Sequence, residues 1–201
     1  MRSNSNRVLY VGIDESNHGQ YPEFCAAVFS TNVEHIRPVR FPIERDFSIM
    51  YKFRKSSSVG YRLLVLNKKQ IQESKSKMTV IAPKLILPYL DSLDYEPQEL
   101  QILIDGGFFR SDVHLLKQGL EGSVERILCR GFENNKKRIN KNNRRRKRKY
   151  NGSRKQLKRE VFYVQPFIVG VTDIMVNNYF KKYQKEGSLD FLRENPHLVI
   201  F

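Results

Sequence analysis

The chain has 201 residues, of which 40% are hydrophobic, and a formal net charge of +15. This length can bury one core, so we expect a single domain over residues 1–201. The absence of any apolar run of about 18 residues, and of a signal-peptide core near the start, argues against membrane and secreted proteins. Cys25 and Cys129 are far apart and fit a reducing compartment. We therefore expect an intracellular protein with no membrane partner, cytoplasmic or, in a eukaryote, nuclear.

The first predicted element is a strand over residues 8–15, in the sequence VLYVGIDE. Its apolar, β-branched residues are typical of a buried strand. The strand ends on two adjacent carboxylates, Asp14 and Glu15, and a turn-forming stretch with His18 follows. Two charges at the end of a core strand are the first indication of a functional site.

The rest of the chain predicts strands followed by mixed strands and helices. Further strands are predicted over Glu23–Ser30, Asp46–Phe53, Tyr61–Asn67, Leu100–Gly107 and Val161–Phe167. Helices are predicted over Val80–Leu93, from Ser111 to about Arg130, and over Val169–Gln184. This order indicates an α/β domain of three layers with a mixed sheet.

A strongly basic segment, residues 136–159, holds 14 Lys or Arg and no Asp or Glu. The other 22 basic residues of the chain face 21 acidic ones, so the remainder is almost neutral. We expect this segment to be a mobile insertion at about 133–160 that binds nucleic-acid phosphates. The alternative is a solubility or nuclear-localisation segment. Its cations are Lys136, Lys137, Arg138, Lys141, Arg144, Arg145, Arg146, Lys147, Arg148, Lys149, Arg154, Lys155, Lys158 and Arg159.

Three aspartates stand in similar settings. Asp14 and Asp105 each close an apolar strand, and Asp173 lies at the margin of the apolar stripe of the last long helix. If the two strands are neighbours, these carboxylates lie about 5 Å apart, and a helix across the sheet can bring the third to them. In such a group one carboxyl becomes neutral unless a cation lies between the charges, and Mg²⁺ or Mn²⁺ prefers carboxylate oxygens. Each aspartate alone would be an ordinary turn residue.

Two neighbouring residues are weaker candidates. Consecutive strand residues face opposite sides of a sheet, so Asp14 and Glu15 do not both face one site in a regular strand. We take Asp14 as the central metal ligand and Glu15 as an assisting catalytic residue. His18 is a candidate auxiliary group for proton transfer or phosphate contact, with a solvated loop histidine as the alternative. Glu121 and Glu125, predicted on one helix face, are reserve ligands.

These motifs resemble a known superfamily. Residues 12–15, GIDE, followed by Gly19, resemble the G-x-D-E-x-G-R-G opening of ribonuclease H type 2 enzymes, and residues 103–106, LIDG, are similar to their second metal-binding motif. Residues 14–16, DES, with Asp173 in a helix, also resemble a poorly characterised ribonuclease H-like branch that opens on D-E-S-G. The resemblance implies a three-layer fold with a mixed, roughly five-stranded sheet and flanking helices. It also implies a two-metal carboxylate site and hydrolysis of phosphodiester bonds.

Two positions depart from the type 2 pattern. Asn17 and His18 replace the Gly and Arg of G-R-G, whose backbone in those enzymes recognises the 2′-hydroxyl at an RNA–DNA junction. Phe162 stands four residues before Pro166, where the A-D-x-x-Y-P motif has its Asp. The resemblance therefore does not extend to specificity for RNA–DNA hybrids.

Three functions follow from these observations. The first is a metal-dependent nuclease of DNA or RNA, with Asp14, Asp105 and Asp173 on Mg²⁺ or Mn²⁺ and the basic segment on the phosphates. The second is a non-catalytic nucleic-acid-binding protein on a degenerate nuclease fold. The third is an interaction subunit whose basic segment docks on RNA or an acidic protein. Convergence of the three carboxylates would separate the first two.

Overall fold

A sheet of six strands forms the centre of the protein. A computed structural model describes residues 8–16, 21–42, 59–69, 72, 77–105, 110–132, 162–193 and 198–200. The strands are β1 Val8–Ser16, β2 Glu23–Ser30, β3 Pro38–Pro42, β4 Val59–Leu66, β5 Glu99–Ile104, β6 Arg126–Gly131, β7 Phe162–Pro166 and β8 Leu198–Ile200. The strand predicted over Asp46–Phe53 lies outside the described residues.

The sheet is mixed, with strand order β6-β5-β1-β2-β4-β8. β1 runs parallel to β5, and β5 parallel to β6, whereas β2 is antiparallel to both β1 and β4. The short β8 adds a parallel edge strand beside β4. β3 and β7 pair separately as an antiparallel ribbon. The predicted mixed sheet of about five strands is confirmed, with β8 as a sixth strand at one edge.

Helices cover both faces of this sheet. They are α1 Met78–Ile81, a π-helical turn Ala82–Ile86, α2 Leu87–Leu90, α3 Arg110–Gly119 and α4 Phe167–Glu186, with short 3₁₀ turns at Val33–Ile36 and Asp190–Leu192. Strand residues alternate between two cores: Leu9, Val11 and Ile13 face the helices from α1 to α3, whereas Tyr10 and its neighbours on β2 face α4. The predicted three-layer α/β fold is thereby confirmed. Within the described ranges, no helix is both long and apolar enough to cross a membrane.

The last long helix is confirmed and extends two residues beyond the predicted bounds at each end. α4 follows Pro166 directly and stops at Gly187, whose φ of +69° is the left-handed conformation that favours glycine. The Gly187 N–H donates to Tyr183 O over 2.8 Å. The buried stripe of α4 includes Val171, Met175 and Val176.

The prediction of one helix from Ser111 to about Arg130 is wrong in its second half. α3 ends at Gly119, a turn follows in which Gly122 has a φ of +80°, and Arg126–Gly131 is the edge strand β6. A short apolar run such as RILCRG has no decisive local preference, so its pairing with β5 decides its conformation. Glu121 and Glu125 therefore do not share a helix face.

Candidate active site

Asp14 and Asp105 lie at the same edge of the sheet, on neighbouring strands. β1 and β5 are parallel, with Ile13 opposite Ile104, and the Asp105 N–H donates to Ile13 O over 3.4 Å. Leu103, two residues before Asp105, belongs to the core beneath α4, and so does Tyr10 of β1. By strand alternation, both aspartates are on the α4 side of the sheet. The parallel pairing of β1 with β5, on which the predicted closeness of the two carboxylates depends, is present.

Helix α4 approaches β1 closely at Gly12. A Cβ at this position would lie 2.9 Å from both Ile168 O and Thr172 Oγ1. The Thr172 hydroxyl donates to Ile168 O over 2.7 Å and lies 3.3 Å from Gly12 O. Because Thr172 immediately precedes Asp173, this approach brings Asp173 to the end of β1 where Asp14 lies.

The Asp14 carboxylate is buried among like charges. Asp14 is only 5% exposed. Burial raises the pKa of its carboxyl well above the ordinary 3.8, and the negative charges of Asp173 and Asp105 raise it further. The Glu15 N–H, which donates to Asp14 Oδ1 over 2.8 Å, acts in the opposite direction. The three aspartates therefore share one electrostatic environment, built from two strands and a helix.

Glu15 lies on the other face of the sheet, as strand alternation requires. Lys77 Nζ donates to Glu15 Oε2 over 2.8 Å and to Glu23 Oε1 over 2.5 Å. Burial raises the pKa of the fully buried Glu23 carboxyl, and the hydrogen bond from Lys77 opposes this shift. Glu15 therefore lies in an ion-pair cluster with Lys77, and its role as an assisting catalytic residue stays a prediction.

Sequence reasoning missed Asn177, which contacts Asp173 one helical turn away. Asn177 Nδ2 donates to Asp173 Oδ1 over 2.5 Å and to Asp173 O over 2.8 Å. Residues spaced i and i+4 are neighbours on a helix surface, so this spacing was the available signal. It also missed Lys77, which is 62 residues from Glu15 in the chain and gives no such local signal.

The carboxylate oxygens of Asp14, Asp105 and Asp173 are chemically suited to bind a hard divalent cation. Carboxylate oxygens are the ligands that Mg²⁺ and Mn²⁺ prefer, and a cation would offset the repulsion acting on Asp14. Among the described residues, however, no three His, Cys, Asp or Glu side chains form a group able to hold a metal ion together. Mg²⁺ commonly uses only one or two carboxylates and completes its shell with water and substrate phosphate. The buried carboxyl of Asp14, with the charges of Asp173 and Asp105 acting on it, fits that mode of binding in the chemistry of its donors.

Other predicted site residues lie outside the described part of the chain. His18 falls in residues 17–20, and all cations of the basic segment fall in residues 133–161. The structure therefore leaves the predicted roles of His18 and of the basic segment as predictions from the sequence.

Proteins similar to this chain are found among solved structures. No protein-family model matches the chain, and no curated protein matches it. Ribonuclease H2 from Pyrococcus horikoshii OT3 is similar in structure, with 15% identity, a TM-score of 0.43, and coverage of 95% of this chain and 81% of that one. RNase HII from Archaeoglobus fulgidus, solved in complex with PCNA, gives 12% identity, a TM-score of 0.41, and coverage of 94% and 84%. The resemblance to the D-E-S-G branch stays a prediction.

Proposed function

We propose that the protein is a divalent-metal-dependent nuclease that hydrolyses phosphodiester bonds of DNA or RNA. The observation that supports this best is the environment of Asp14, a buried carboxylate whose pKa is raised by burial and then by Asp173 and Asp105. Burying one carboxylate beside two others is unfavourable unless a cation or proton offsets the charge. This repulsion arises between carboxylates from three separate segments of the chain. It therefore favours a function in which the site binds a cation.

In this proposal the three aspartates would hold the cation from different parts of the fold. Asp14 would be the central ligand because it is the most buried of the three, whereas Asp105, after β5, and Asp173, on α4, would complete the negative environment. A divalent ion bound here would supply an activated water and stabilise the leaving oxygen of a phosphodiester. The chain's contribution is to fix the three carboxylates on rigid elements at one edge.

The described flank of the basic segment supports a role in holding the substrate. β6 ends at Gly131, opposite Ile104, and the next residue, Phe132, donates its N–H to Ile104 O over 3.2 Å. Lys136 is four residues further along the chain, and four residues reach about 14 Å at most. The segment therefore begins shortly after β6, which pairs with the strand that precedes Asp105. We propose a single domain in which this segment is an insertion that binds the phosphate backbone.

The test is cleavage of labelled single- and double-stranded DNA, single-stranded RNA and RNA–DNA hybrid in Mg²⁺ or Mn²⁺. Wild-type protein should cut at least one substrate, and Asp14→Asn should lower the rate by about 100-fold or more, the loss typical of removing charge stabilisation in a transition state. The exposed Asp94→Asn is the matched control and should leave the rate unchanged. Equal cutting by wild type and Asp14→Asn would overturn the proposed site.

A second candidate function is nucleic-acid binding without catalysis. It is favoured by one observation, that no three metal-binding side chains of the described residues are grouped for joint coordination. In the same assay this function predicts binding of equal strength by wild type and Asp14→Asn, with no product from any substrate in either metal.

A further inference from the structure

We propose that Asn177 is a positioning residue that holds the Asp173 carboxylate toward Asp14. This inference rests on the proposed function, because it assigns Asn177 to the same carboxylate site. Its basis is the pair of hydrogen bonds from Asn177 Nδ2, to Asp173 Oδ1 over 2.5 Å and to Asp173 O over 2.8 Å.

The chemistry of the two partners fixes the orientation of the amide. A carboxylate oxygen and a backbone carbonyl are both acceptors, so only the NH₂ end of Asn177 can face them. The same donor group thus joins the side chain of Asp173 to its own backbone. The carboxylate is held in one direction relative to the helix axis.

The contact of Asn177 with Asp173 acts together with a second contact, the one that positions α4 against β1. The close approach of Thr172 and Ile168 to Gly12 sets where the backbone of α4 lies on β1. That approach leaves the side-chain torsions of Asp173 unspecified. Asn177 restricts them, and among neighbouring charges Asp173 has the largest effect on Asp14. Groups that orient a metal ligand typically change metal affinity or activity by about 10- to 100-fold when they are mutated.

The first arm of the test uses the protein without metal. Three-bond couplings between the backbone and Cγ of Asp173, measured by NMR, report its χ1 torsion. Wild-type protein should show one rotamer, Asn177→Ala should show averaging, and Asn177→Gln, which keeps the amide, should restore part of the preference. The matched control is Asn178→Ala, which is on the same helix but on a different side of it, and it should resemble wild type. Averaging in the wild type would overturn the proposal whatever the protein does with metal.

The second arm measures Mn²⁺ binding by titration calorimetry. We expect Asn177→Ala to bind about 10-fold more weakly than wild type, Asn178→Ala to bind equally, and Asp14→Asn to lose binding. Unchanged affinity in Asn177→Ala beside lost affinity in Asp14→Asn would overturn the role of Asn177 alone. Unchanged affinity in Asp14→Asn, or no binding by wild type, would overturn the proposed function, and the first arm would still decide what Asn177 does.

Discussion

At the scale of single residues, the main feature is a carboxylate placed where its charge is unfavourable. Asp14 is nearly inaccessible to water and is flanked by the charges of Asp173 and Asp105. In the unfolded chain its pKa is ordinary, whereas in the fold it is raised. The metal-free fold therefore favours the protonated form, and the stability gained from that proton is lost as the pH rises through the raised pKa.

Asp14→Asn should accordingly stabilise the metal-free protein at neutral pH. Asparagine resembles the protonated form at every pH, so the mutant should gain about 1.4 kcal/mol in unfolding free energy for each unit by which the wild-type pKa is raised. The gain should vanish below the ordinary value of 3.8 and grow as the pH rises from there. Urea denaturation of both proteins between pH 4 and 8 measures it. A difference that stays constant with pH would show that Asp14 does not titrate abnormally.

Lys77 is the second residue whose replacement should lower the free energy of unfolding. Its ammonium group joins Glu15 to the fully buried Glu23, whose Oε2 has no hydrogen-bond partner within the described part of the chain. We expect Lys77→Met to cost about 1–3 kcal/mol of unfolding free energy, since it leaves a buried carboxylate without its donor. Urea denaturation at pH 7 measures this. Adding Glu23→Gln to the mutant should recover part of the loss, and no recovery would show that packing by Lys77, not its charge, stabilises the fold.

At the scale of elements, the contact between α4 and β1 builds the site. Gly12 lacks a Cβ, and this absence lets the backbone at Ile168 and the hydroxyl of Thr172 come within van der Waals distance of the strand. The residue after Thr172 is Asp173, so the depth of this contact sets how near the helix carboxylate comes to the strand carboxylates. A glycine in a strand often marks such a close approach.

Gly12→Ala should therefore damage both stability and the site. Its Cβ would force α4 outward, and we expect a loss of about 1–3 kcal/mol in unfolding free energy, together with weaker Mn²⁺ binding. Gly60→Ala is a matched control, because its Cβ would also meet a neighbour, the Tyr89 ring, but on the face of the sheet opposite to α4. Denaturation and calorimetry should show lost stability in both mutants and lost metal affinity in Gly12→Ala only.

At the scale of the whole molecule, the charge is concentrated in one part of the chain. Outside residues 136–159 there are 22 basic and 21 acidic residues, so a net charge of +15 belongs almost entirely to that segment. Binding to nucleic acid through such a segment should depend on the release of counterions from the phosphates and hence on salt.

Replacing residues 136–159 with an uncharged linker of equal length should remove most nucleic-acid affinity. The slope of log K against log salt should become shallower by several units, because each lost phosphate contact contributes about 0.9 for duplex DNA. Fluorescence anisotropy of a labelled duplex between 50 and 200 mM salt measures this. A matched control with the same residues in scrambled order should bind like wild type, because phosphate contacts depend on charge more than on sequence. An unchanged slope with the linker would place the binding surface elsewhere.

The sequence by itself determined the features that depend on local patterns. Alternating or continuous apolar residues marked β1, β2 and β5, and the carboxylates that end β1 and β5 marked one sheet edge, because a side chain's face follows from its position in the strand. The periodicity of α4 placed Asp173 beside its buried stripe. These local rules were enough for the fold class, and they selected the three aspartates, whose role stays a prediction.

Only the tertiary structure decided the contacts between distant segments. The pairing of Arg126–Gly131 with β5 made a strand of residues predicted as helix, and Lys77 drew Glu15 into an ion-pair cluster on the face opposite Asp14. The proximity of Asp173 to Asp14 depended on the fit of α4 against Gly12. Each of these outcomes is set by hydrogen bonds and packing between residues far apart in the chain, which no local pattern contains.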